Sequence, residues 1–172
     1  HYPLRRQRQM CIRDSYDGVL PSTFPDLEPY QDYKFLYMSE VGRFLNGSQP
    51  YKDFFHAYPP LFLYTLSLFA FMHLPSWGSA ILIVVFDALT IVPTFLIARR
   101  LTSEKWASVI ALTASLTPMV LWYNTALWLN PPPSTFFMLL SAYLLLTGRS
   151  RLAALTLGLA TGYKQTSVML FP

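Results

Sequence analysis

The sequence predicts an all-α membrane protein: a multi-spanning helical bundle preceded by an extramembrane stretch that bears an amphipathic interfacial helix. Three observations point there. The 172 residues are 53% hydrophobic and 16% aromatic. Charged residues make up 13%, about half the ~25% usual in soluble domains. Beyond residue 54, charge is confined to Asp87, Lys164 and two short clusters, 99–105 and 149–151.

The formal charge of +4 does not describe a basic surface. Residues 1–15 hold four of the 13 basic residues (Arg5, Arg6, Arg8, Arg13) and one of the nine acidic ones (Asp14), which leaves nine against eight elsewhere. No basic face for nucleic acid survives that subtraction. The string RRQRQMCIRDS resembles translated sequencing-adapter sequence and lacks the apolar run of a signal peptide. Residues 1–15 are therefore read as non-native. With no initiator Met and an end at Pro172 inside apolar sequence, the chain is read as an internal fragment of a larger protein. Cys11, the single cysteine, lies in the suspect string, so cysteine usage says nothing about redox compartment.

Residues 16–59 form the predicted extramembrane region. Residues 16–31 are rich in Pro, Asp and Tyr and read as irregular. From Asp32, Phe35, Met38, Val41 or Gly42, and Leu45 recur at helical spacing, with Lys34, Glu40 and Arg43 on other faces. Fourteen such residues make an amphipathic helix roughly 20 Å long, suited to lie at an interface and stopped by Asn46-Gly47. An aromatic loop, SQPYKDFFHAYPP, follows, and Pro60 fits the first position of a helix because its missing N–H needs no partner there. Residues 60–172 read as four to five apolar spans: 60–74, 79–98, 107–123 (with Pro118 inside), 134–147 and 152–171 (interrupted by Lys164). Only a span of about 20 residues crosses a ~30 Å hydrocarbon core unaided, which favours 79–98. No internal repeat of a transporter kind is visible.

Several residues are candidates for chemistry. Asp32 at a helix start is either a cap that suits the helix dipole or a general base, and the two roles are compatible. Asp53 and His56 are either loop hydrogen-bonders or, among Tyr51, Phe54, Phe55 and Tyr58, parts of a sugar site in which rings pack on the pyranose and polar groups orient hydroxyls. As a metal pair they are too sparse. Asp87 and Lys164 lie within apolar spans, where charge is costly and faces the bundle interior. They are read as an ion pair, as a hydrogen-bonded Asp87 with a snorkelling Lys164, or as a transport pathway. Gly158 and Gly162, four apart, suit close helix packing. Asn46-Gly47-Ser48 matches a glycosylation acceptor, a motif too short to decide anything.

These residues together resemble a multi-spanning glycosyltransferase of the GT-C class, mannosyltransferase-like. The matching order is Asp32 with Tyr33 and Tyr37, then Gly47-Ser48-Gln49-Pro50-Tyr51-Lys52-Asp53-Phe54 for a G-x-x-P-Y-x-D-F run, then Tyr58-Pro59-Pro60-Leu61. Arg99-Arg100-Leu101 and Gly162-Tyr163-Lys164-Gln165 are similar to bacterial and archaeal members, and the likeness covers roughly residues 26–172. The resemblance implies a loop outside the cytoplasm, Asp32 as the catalytic carboxylate, and a polyprenyl- or dolichyl-phosphate sugar as donor for a hydroxyl acceptor. It implies substrate-binding roles for Tyr37, Tyr51, Asp53, His56 and Tyr58, with Lys52 or Lys164 meeting the phosphate. A divalent cation would help to neutralise that phosphate, but no residue set demands a metal. A prokaryotic plasma membrane fits better than endoplasmic reticulum. The rival class is a membrane transporter or lipid-carrier flippase working through Asp87 and Lys164. A third is a structural subunit that binds glycolipid without chemistry.

Sidedness poses a conflict. Arg99, Arg100 and Lys105 in one connection, and Arg149 and Arg151 in another, predict one cytoplasmic side for both. Counting spans back places 32–60 on that same side, whereas the resemblance places it opposite. The two agree if 60–74 is not a full crossing.

Overall fold

A computed structural model describes residues 32–73, 76–121, 124 and 131–170, with the backbone alone for 32, 34, 35, 76–80 and 170. Residues 1–31, and with them the adapter-like string, lie outside the described residues. The described chain is all-helical, and an isolated bridge between Pro50 and Phe54 is the sole extended pairing among those residues.

The chain enters through a π-helical turn, Asp32–Tyr37, that runs into α1, Met38–Leu45. Tyr33, Tyr37, Glu40 and Val41 are buried and Phe44 is half-buried, while Gly42 and Leu45 face out. Of the expected face, Val41 is buried and Met38 packs half-buried against the core, whereas Leu45 faces out and the large rings of Tyr33 and Tyr37 take the interior. Ser48 N–H donates to the Arg43 carbonyl (3.1 Å) and Gly47 N–H to that of Phe44 (3.0 Å), with Gly47 at φ +89°. That is a Schellman stop, and it explains why a glycine stands there.

Pro60 begins α2, Pro60–Phe71, as expected. At 12 residues it is about 18 Å long. Next come α3, Ser76–Leu89, and α4, Ile91–Leu101, joined at Thr90. Pro93 causes the joint: it has no N–H for the Leu89 carbonyl, and its ring crowds that turn. The Thr90 hydroxyl donates to the Phe86 carbonyl at 2.8 Å, beside the Thr90 N–H bond to the same carbonyl at 3.1 Å. Ile81–Leu101 is the one stretch among the described residues that is both long enough (21 residues) and apolar enough to cross a membrane, whereas Pro60–Phe71 and Pro131–Leu146 are apolar but shorter.

α5, Glu104–Ser115, stops before Pro118, so the expected 107–123 span is broken. α6, Pro131–Leu146, starts on three prolines and turns tightly into α7, Ser150–Tyr163. The turn is a second Schellman stop, with Gly148 at φ +76° and Arg149 N–H donating to the Leu144 carbonyl at 2.9 Å. Lys164 is extended and ends α7 before a 3-10 turn, Gln165–Leu170.

The two hairpin helices pack through small residues. Ser141 donates to the Ala153 carbonyl at 2.8 Å, and Ser134 and Ser167 share a buried hydrogen bond at the open end. A Cβ on Gly162 would stand 3.1 Å from Leu61 Cδ2, so α2 starts directly against the end of α7. Gln165 Nε2 reaches the Ala57 carbonyl at 3.4 Å. At the other end, Arg100 Nη1 donates to the Leu146 carbonyl at 3.2 Å. The aromatic loop and the basic connections therefore lie at opposite ends of α7, a 14-residue helix about 21 Å long.

Candidate functional site

The core near the loop end is made of Tyr33, Tyr37, Val41, Phe54, Phe62, Leu63, Leu66, Ile83 and Tyr163. Against it the aromatic loop folds on itself. Asp53 N–H donates to the Gln49 carbonyl at 2.9 Å, and Gln49 N–H returns a bond to Asp53 Oδ2 at 2.8 Å. The Tyr51 hydroxyl donates to the Tyr58 carbonyl. Tyr51 sits at φ +68°, a left-handed conformation that costs a bulky residue of order 1 kcal/mol or more. The loop retains it through that hydroxyl and through the Tyr51 N–H bond to the Phe54 carbonyl at 2.9 Å.

His56 and Glu40 form the centre of this arrangement. His56 Nδ1 lies 2.8 Å from Glu40 Oε2, and the two residues are 3% and 6% exposed. An ionised carboxylate only accepts, so Glu40 places the imidazole proton on Nδ1 and leaves Nε2 with a free lone pair. Nε2 is buried and has no hydrogen-bond partner. Rings surround it: Tyr51 at 5.7 Å and Tyr58 at 6.1 Å between centroids, with Tyr37 5.9 Å from Tyr58 and 5.0 Å from Phe62. Partial burial, helped by Tyr64 and Glu40, holds the Tyr51 phenol above its ordinary pKa, so it stays a neutral donor.

Four of the expected residues (Tyr37, Tyr51, His56 and Tyr58) are thus brought together. Asp53 does not join them. It is exposed and closes the loop locally, so His56 pairs with Glu40 and not with Asp53. Lys52 is exposed at the loop tip, and Lys164 is half-buried beside the Gln165 contact to Ala57. The Asp32 side chain lies outside the described residues, although its backbone opens the π-helical turn that carries Tyr33 and Tyr37. Asp87 accepts from Asn124 Nδ2 at 2.7 Å, and no Asp87–Lys164 pair forms.

Sequence reasoning left Glu40 on an outer helix face. The signal that could have found it is that a histidine buried among aromatic rings needs a polar partner, and Glu40 shares a face with Tyr37 and Val41. No three His, Cys, Asp or Glu side chains gather among the described residues. Glu40 and His56 offer two donors of the kinds that bind transition metals.

No family model, curated protein or solved structure matches the chain.

Proposed function

We propose that this chain belongs to a multi-spanning membrane glycosyltransferase of the GT-C class. It would move a sugar from a polyprenyl- or dolichyl-phosphate carrier to a hydroxyl acceptor at the non-cytoplasmic face, in a prokaryotic plasma membrane. The observation that supports this most is the closure of the Gly47–Phe54 and Tyr58–Leu61 motif residues around the buried Glu40–His56 pair, at the end of α7 away from the basic connections. Basic connections favour the cytoplasm, so the loop falls outside. α2 starts beside Gly162, and Ile83 of α3 belongs to the same core cluster as Tyr37 and Phe62. A 12-residue α2 that does not cross the bilayer reconciles the span count with that sidedness.

In this account the acceptor hydroxyl attacks the anomeric carbon, Asp32 takes its proton, and the carrier phosphate leaves with the electrons of the broken C–O bond. Tyr51 and Tyr58 offer ring faces to the sugar, and His56, held in one tautomer by Glu40, offers Nε2 to a sugar hydroxyl once a ring shifts. Lys52 and Lys164 supply positive charge for the carrier phosphate.

Transfer from a panel of radiolabelled polyprenyl-phosphate sugars, with the protein expressed from its natural gene, tests the proposal. Asp32→Asn should abolish transfer with expression intact, and retained transfer would refute the assignment. Absence of transfer by wild type from every donor would move the function to transport through Asp87 and Lys164.

A further inference from the structure

The end of the molecule away from the loop carries a second site. Leu96, Arg99, Arg100 and Tyr143 line an open cavity of about 270 Å³. Arg100 is held in place, bonded to the Leu146 carbonyl at 3.2 Å with its guanidinium carbon 5.8 Å from the Tyr143 ring centre. Arg99 has only a loose partner, Glu104 at 3.8 Å, and both side chains are exposed, so that pair adds little. Arg149 and Arg151 follow just beyond the carbonyl that Arg100 holds, and Lys105 follows Glu104. Among the described residues, five cations thus meet one carboxylate at this end. Beside them Leu101 and Trp106 stand 75% and 61% exposed.

We propose that the end of α4 and the α6–α7 turn form a headgroup site for an anionic phospholipid. Guanidinium forks match phosphodiester oxygens in geometry and charge, and basic pockets between helices bind anionic head groups. A free phosphate would use the arginines alone. The exposed Leu101 and Trp106, with Leu96 in the wall, supply the apolar surface that a glycerol backbone and the first acyl carbons cover, and Trp suits the headgroup level. The site is separate from the aromatic loop and does not depend on any transferase activity.

The test is retention of phosphatidylglycerol against phosphatidylcholine by the full chain purified in detergent, read by native mass spectrometry. Phosphatidylglycerol should be retained preferentially. Each arginine removed should cost about fivefold, so Arg99→Gln with Arg100→Gln should lose ~25-fold. Arg99→Gln alone, at an exposed side chain, should lose about fivefold and guards against a fold defect in the double variant. Arg43→Gln at the other end should change nothing. Equal retention of the two lipids, no loss in Arg99→Gln, or displacement of phosphatidylglycerol by inorganic phosphate would each overturn the proposal.

Discussion

The two ends of α7 handle polar groups in opposite ways. At the loop end a carboxylate and an imidazole are buried and hydrogen-bonded: Glu40 and His56 sit among tyrosine rings, 2.8 Å apart and almost fully enclosed. At the basic end charge is spread and exposed, and Arg100 is fixed by a carbonyl and a ring, with no carboxylate of its own. A buried carboxylate is costly to place and its partner costly to remove. An exposed basic rim costs little and sets orientation and affinity for anionic surfaces.

That contrast can be broken by substitution, with the largest effect at the buried pair. Glu40→Ala leaves the buried His56 Nδ1 without its acceptor and empties the space of the side chain, and should destabilise the protein by about 2–4 kcal/mol in detergent unfolding, whereas Glu40→Gln, which keeps an acceptor, should lose less. Next comes the contact that seats α2 on α7. Gly162→Val pushes into Leu61, already 3.1 Å from a notional Cβ, and should cost about 1–3 kcal/mol in the same assay. Tyr51→Phe removes the donor to the Tyr58 carbonyl and should cost about 1 kcal/mol, with its clearest sign in faster proteolysis between residues 49 and 58. Arg149→Gln should fall smallest, within about 0.5 kcal/mol, because the rim is solvated. A cost at Arg149 as large as that at Glu40 would erase the distinction between the two ends.

Much of the fold is legible in the sequence because single residues punctuate it. Pro60 starts α2, Gly47 and Gly148 supply the left-handed stops, and the apolar 79–98 stretch corresponds to the crossing-length helix Ile81–Leu101. Other features depend on competition that a linear pattern hides. Tyr33 and Tyr37 of the π-helical turn go inside with Val41, while the equally apolar Leu45 is left outside. Pro93 interrupts the long helix at Thr90 within a mostly apolar run. The site was half legible. The aromatic loop announces itself by composition, but the Glu40–His56 bond joins residues 16 apart across a turn, and only packing shows which carboxylate the histidine chooses. Asp53, the nearer in sequence, is taken up by the Gln49 N–H.

The proposed function requires that the two ends of α7 face opposite sides of a membrane. Its most direct measurement is labelling of single cysteines, Gln49→Cys in the loop and Ser150→Cys beside the basic turn, each in a Cys11→Ser background, by a membrane-impermeant maleimide on intact cells. Gln49→Cys should react from outside, and Ser150→Cys only after permeabilisation. Both cysteines reacting from the same side would contradict it.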